Sequence, residues 1–84
     1  LRKIPKYFPQ PEDEFKLDPS YEPTSEKAVA LKCAIFKDLQ DFESEGLVKP
    51  VNEKHMYYAA MNSKSCKLTA LGYHYWRLVK ENKL

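Results

Sequence analysis

Five of the six prolines fall in the first 23 residues (Pro5, Pro9, Pro11, Pro19 and Pro23), and only Pro50 lies beyond them. Each proline removes a backbone donor and biases the residue before it toward extended backbone. Residues 1–23 are therefore expected to form an extended arm rather than a helix. The arm also carries Ile4, Tyr7, Phe8, Phe15, Leu17 and Tyr21, side chains for which a free linker has little use. It is expected to dock on the remainder, residues 24–84. With 84 residues in all, the chain has room for one core, and 43 % hydrophobic residues are enough to build it.

Past the arm the pattern becomes helical. Thr24, Ser25 and Glu26 offer a hydroxyl N-cap and an acidic first turn. Lys27 to Glu45 contains neither glycine nor proline, and Ala28, Leu31, Ile35, Leu39 and Phe42 fall on one stripe. Val29, Cys33 and Phe36 make a second apolar seam beside it, so the helix is expected to be covered on two sides. Gly46 supplies a C-terminal stop. Leu47 to Val51 reads as a strand, and Pro50 points to an edge position. Asn52 to Lys54 is turn-like, Met56 to Met61 is a second strand candidate, and Asn62 to Ser65 is again a loop. From Leu68 to about Glu81 the pattern is helical once more, with Leu71, Tyr75 and Leu78 on one stripe. That stripe is expected to face Leu31, Ile35, Leu39 and Phe42.

Leu39, Phe42, Gly46, Leu47 and Val48, followed by Leu68, Thr69 and Gly72, resemble the second half of the winged-helix superfamily. There a helix ending in Gly-Leu-Val feeds a wing hairpin, and Leu-Thr-x-x-Gly caps the helix after it. The resemblance covers roughly residues 27–84 and implies a small α+β domain with a long helix, a β-hairpin wing and a C-terminal helix. It differs in two places. The proline-rich arm has no counterpart to the two helices that normally precede the recognition helix, and Asn62 to Cys66 looks like an insertion. The superfamily is most often used on DNA or RNA, which implies a nucleic-acid partner.

Charge is consistent with that partner in one half of the chain. Residues 49–84 carry seven basic and two acidic side chains, whereas the whole chain is only +2. Lys54, His55, Lys64, Lys67, Tyr73, Arg77 and Lys80 are the candidate nucleic-acid contacts: the cations would hold phosphates and the aromatic rings would stack on bases. The outward arc of the long helix (Glu26, Lys27, Ala30, Ala34, Lys37, Asp41, Ser44) is neutral and so poorly suited to reading bases. The alternative is a protein-interaction module that uses the Val29, Cys33 and Phe36 seam together with Trp76, as aromatic anchors do at interfaces. Its partner would be another protein or the rest of a parent chain.

Catalysis is not expected. Cys33, Cys66, His55 and His74 lack metal-binding spacing, and no cofactor motif is present. A Cys66–His74 nucleophile pair has no orienting carboxylate or glycine-rich oxyanion loop. Glu12, Asp13, Glu14 and Asp18 lack the spacing of a calcium loop. No apolar run approaches the roughly 18 residues that span a bilayer, so no membrane partner is expected. The chain opens at Leu1 with no basic-then-apolar leader. With no N-glycosylation sequon either, it reads as a processed protein or a piece of a longer intracellular one, in nucleus or cytoplasm.

Overall fold

The computed structural model describes residues 2–83; Leu1 and Leu84, the outer ends of the arm and of the domain, lie outside them. Its elements are α1 (Ile4–Tyr7), β1 (Glu14–Lys16), a 3₁₀ turn (Pro19–Tyr21), α2 (Ala30–Ser44), β2 (Val48–Val51), α3 (Met56–Met61), β3 (Ser65–Leu68) and α4 (Ala70–Lys80). The three strands form one antiparallel sheet in the order β1-β3-β2. The result is a small α+β domain.

The N-terminal segment is not extended throughout. Pro5 stands in the first turn of α1, where its missing N–H leaves no hydrogen bond unmade. Pro19 opens the 3₁₀ turn, which Asp18 caps by accepting from the Ser20 amide at 2.8 Å. β1 adds to β3, and the ladder continues through the Leu17 N–H to the Lys64 carbonyl at 2.9 Å. Ile4, Tyr7, Phe8 and Leu17 are buried in the common core.

α2 starts three residues later than its composition suggests. Its N-cap is Val29, while the hydroxyl residues serve the turn before it. The Thr24 amide donates to the Glu22 carboxylate at 2.7 Å, and the Ser25 hydroxyl accepts from the Lys27 amide at 3.1 Å. The helix is also rotated relative to the expected stripe. Phe36, Leu39 and Phe42 are buried, Ile35 is half-buried, and Leu31 is 74 % exposed. Leu71 is 47 % exposed, so the expected facing pair of stripes does not form. The cause is the docked N-terminal segment. α2 packs on the 3₁₀ turn and on β2, Tyr7 meets Phe42, and the Tyr7 hydroxyl donates to Asp38 at 2.6 Å. These contacts turn the Phe36 side inward.

Met56–Met61 is a helix, not the second strand of a hairpin. On a helix Met56, Ala59 and Ala60 share the buried face and leave Tyr57 and Tyr58 outside. β2 instead pairs with Ser65–Leu68, a segment whose expected roles were loop and helix start. There Cys66 and Leu68 turn inward and Lys67 outward, the alternation of a half-buried strand. β2 lies at the sheet edge, which accommodates Pro50.

The residues that carry the winged-helix resemblance interlock. Gly46, at φ +80°, closes α2; its amide donates to Glu43 and the Leu47 amide donates to Phe42, a Schellman ending. Thr69 caps α4, accepting from the Gly72 amide at 3.0 Å and donating its hydroxyl to the Gly46 carbonyl at 2.6 Å. The Thr69 amide reaches the Leu47 carbonyl at 3.0 Å. One side chain thus ties the end of α2 to the start of α4.

Tyr7 links α1 to α2 and gives stability a pH signature. Burial, then its bond to Asp38, raises the Tyr7 phenol from 10.0 to about 12, and that bond lowers the Asp38 carboxyl. In the unfolded chain the phenol ionises first, so its contribution is intact below pH 10.0 and is lost as pH rises toward about 12. Buried Cys66, raised from 9.0 to about 12, and Tyr21, also raised, act in the same direction. On the acid side the Asp38 contribution is lost as pH falls below the usual carboxylate range. Tyr7→Phe should flatten both limbs of a plot of urea midpoint against pH, leaving the alkaline slope due to Cys66 and Tyr21 and the acid slope due to Asp18 and to the Lys3–Asp38 pair. An unchanged profile would disprove the assignment.

Candidate nucleic-acid interface

The exposed face of the sheet is built by alternation in three short strands. Glu14 and Lys16 on β1, Lys49 on β2 and Lys67 on β3 point to solvent, while Phe15, Val48, Cys66 and Leu68 turn toward the core. The register places Lys67 between Glu14 and Lys49 in one cross-strand row. Lys16 lies one row along, beside Ser65, whose hydroxyl donates to Glu14 at 2.5 Å. Like charges directly opposite on neighbouring strands, as Lys49 and Lys67 are, destabilise a sheet. Among the described residues the ion pairs involve Lys3, Lys37, Arg77 and Lys83, and none involves Lys16, Lys49, Lys54, Lys64 or Lys67.

The expected contact residues divide into two groups. Lys54, His55 and Lys64 lie in the connection between β2 and β3, at the end of the sheet where Val51 pairs with Ser65. Here His55 contacts the Tyr58 ring at 6.4 Å and Tyr58 contacts Tyr57 edge-on at 5.1 Å; both tyrosines are largely exposed. Asn52, Glu53, Lys54, His55 and Tyr58 line an open depression of about 530 Å³ there. Tyr73, Arg77 and Lys80 lie on α4, which leaves β3 at its other end. Lys67 sits between the groups on the sheet face.

The α4 cations are already engaged within their own helix. Arg77 lies 3.8 Å from Glu81, and the Lys80 ammonium sits 5.7 Å above the Trp76 ring. The sheet-face lysines are not so engaged. Lys16 and Lys49 are not among the contacts expected from sequence. The signal for them is period-two alternation in Glu14-Phe15-Lys16 and Val48-Lys49-Pro50, in strands of only three and four residues.

The residues of the alternative protein interface do not form one surface. Phe36 is fully buried, because α2 turns that side toward the core. Cys33 is half-buried, with its thiol 3.8 Å from the Ser20 carbonyl, and Val29 is exposed at the helix N-cap. Trp76 is half-buried and donates its indole N–H to the Phe8 carbonyl at 2.7 Å, which fastens the N-terminal segment to α4.

Among the described residues no three His, Cys, Asp or Glu side chains come together as a metal site, and no helix is long and apolar enough to cross a membrane. Cys33 and Cys66 are free thiols. No protein-family model, curated protein or solved structure matches this chain.

Proposed function

We propose that this is a non-catalytic module of winged-helix kinship that associates with single-stranded nucleic acid through its exposed sheet face and the connection between β2 and β3. The observation that carries the reading is the set Lys16, Lys49 and Lys67: three outward lysines, two directly opposed, none in an ion pair among the described residues. Repulsion between Lys49 and Lys67, offset in part by Glu14 on the other side of Lys67, is relieved by a polyanion, and phosphates spaced along a strand meet lysines spaced across a sheet. Lys54 and Lys64 extend the charge to Tyr57 and Tyr58, whose exposed rings suit stacking on unpaired bases. The kinship is supported by the order of α2, β2, β3 and α4 and by the interlocked Gly46 and Thr69 motifs. α1 and the 3₁₀ turn precede α2 in the chain, and α3 lies between β2 and β3.

The test is an anisotropy titration with labelled single-stranded and duplex oligonucleotides at two salt concentrations. Wild type should bind the single strand at tens of micromolar or tighter in low salt. Lys49→Glu with Lys67→Glu should weaken binding tenfold or more and reduce the salt slope by about one unit for each phosphate no longer held. Arg77→Glu with Lys80→Glu should do much less, and Tyr58→Ala should affect the single strand more than the duplex. Absence of wild-type binding to either probe in low salt would overturn the proposal.

A further inference from the structure

A second surface differs from the sheet face in both shape and charge. The end of α2 and the first turns of α4 enclose a groove of about 510 Å³ lined by Asp41, Phe42, Glu45, Leu47, Leu71 and Tyr75. Its floor is apolar, since Phe42 and Leu47 are buried there as part of the core, and Leu71 stands half-exposed at its mouth. Its rim is acidic. Among the described residues Asp41 pairs only with Lys37, at 3.9 Å with both side chains well exposed, and Glu45 is in no ion pair.

The rim is also placed at a cost to the helix. The last turn of α2 holds Asp41 and Glu43, with Glu45 at the C-cap, and no basic residue. Helix C-termini carry partial negative charge and favour cations, so acidic side chains there are unfavourable in the free protein. A cation seated on this rim gains from the carboxylates and from the helix end together. A phosphate-bearing ligand is repelled by the same groups.

We infer that this groove docks a short peptide segment of a protein partner, one apolar side chain entering between Leu71 and Phe42 while flanking Lys or Arg residues meet Asp41 and Glu45. The apolar floor supplies the anchor site that hot spots require, and the two carboxylates select the charge of the flanks. None of the sheet-face lysines lines this groove.

The experiment uses a displayed library of random dodecapeptides panned against the whole chain, with enriched sequences made as labelled peptides for anisotropy. Enrichment of an apolar residue flanked by Lys or Arg is expected. Binding of those peptides should fall tenfold or more in Asp41→Lys with Glu45→Lys, and likewise in Leu71→Asp. The doubly reversed variant should stay folded and melt close to wild type, because the gain from lysines at the helix C-terminus offsets the lost Lys37 pair and the like-charge contact that Asp41→Lys makes with Lys37; loss of binding in a fully folded protein separates recognition from structural damage. Three results would overturn the inference. One is no enrichment, and another is enriched peptides that ignore the Asp41 and Glu45 reversals. The third is sedimentation as a dimer that Leu71→Asp dissolves, since a second copy would then occupy the groove.

Discussion

Gly72→Ala should lower the melting temperature by roughly 8–16 °C, although alanine is the better helix former. A Cβ at position 72 would stand 2.0 Å from the Leu47 carbonyl oxygen and 3.0 Å from its carbon. That neighbour is backbone, fixed by the α2 ending and by the Thr69 amide that the same oxygen accepts. It cannot swing aside as a long side chain could, so α4 must lift from the Gly46–Leu47 corner. Overpacking of this kind costs about 3 kcal/mol, against about 1 kcal/mol gained in helix propensity. The net loss of about 2 kcal/mol converts to the stated shift for a domain of this size. Gly46→Ala is the informative comparison. Its Cβ would meet only Leu71, at 4.0 Å, so the penalty is the left-handed backbone alone, about 1–2 kcal/mol. A thermal melt in which Gly72→Ala equals or exceeds wild type would show that the close approach of α4 is wrong.

The second large effect concerns the facing of α2. Phe36→Ala should destabilise the domain by about 3–5 kcal/mol, the usual cost of emptying a phenylalanine site in a core. Phe36 is fully buried, and Leu39 and Phe42 share its side of the helix. Small domains sit at the low end of about 5–15 kcal/mol of total stability, so this variant should be partly unfolded at room temperature. Leu31→Ala should stay within about 0.5 kcal/mol, as surface changes do, since Leu31 is 74 % exposed. Urea titrations of the two variants decide between the faces. If Leu31→Ala proved the costly change, α2 would lie as its apolar periodicity alone suggested.

That periodicity shows how far local pattern reaches. Two apolar stripes run side by side along α2, one through Leu31, Ile35, Leu39 and Phe42 and one through Val29, Cys33 and Phe36. The pattern predicts cover on both, and nothing local says that the Leu31 end is left exposed. Tyr7, Phe42 and the Asp38 hydrogen bond decide it, and they join residues about thirty positions apart. The same holds for Met56–Met61. Six apolar residues between turn signals suit a buried strand or a buried helix equally, and the helix wins because it brings Met56, Ala59 and Ala60 onto one face that packs on β2, β3 and the 3₁₀ turn.

The candidate site was legible in its charge but not in its geometry. The excess of lysine after residue 48 is plain in the chain. That Lys16 from the N-terminal segment would join Lys49 and Lys67 on one face requires β1 to pair with β3 across some fifty residues. That Arg77 and Lys80 would be engaged by Glu81 and Trp76 is a matter of rotamer and helix neighbours. The acidic groove needs Leu47 and Leu71 brought together from two elements, and no linear motif encodes it.

Local chemistry alone therefore settled where α2 stops and that Pro50 lies on an edge, because a left-handed glycine and a missing amide act within a few residues of themselves. Which face of α2 is buried, which segment pairs with β2, and which lysines share a surface were decided only by tertiary packing. Each of those choices weighs two local conformations of similar free energy, and the weight that separates them comes from contacts with chain that is distant in sequence. Gly72 belongs to both: its place in the motif is visible in the chain, but its necessity comes from the Leu47 carbonyl that α4 packs against.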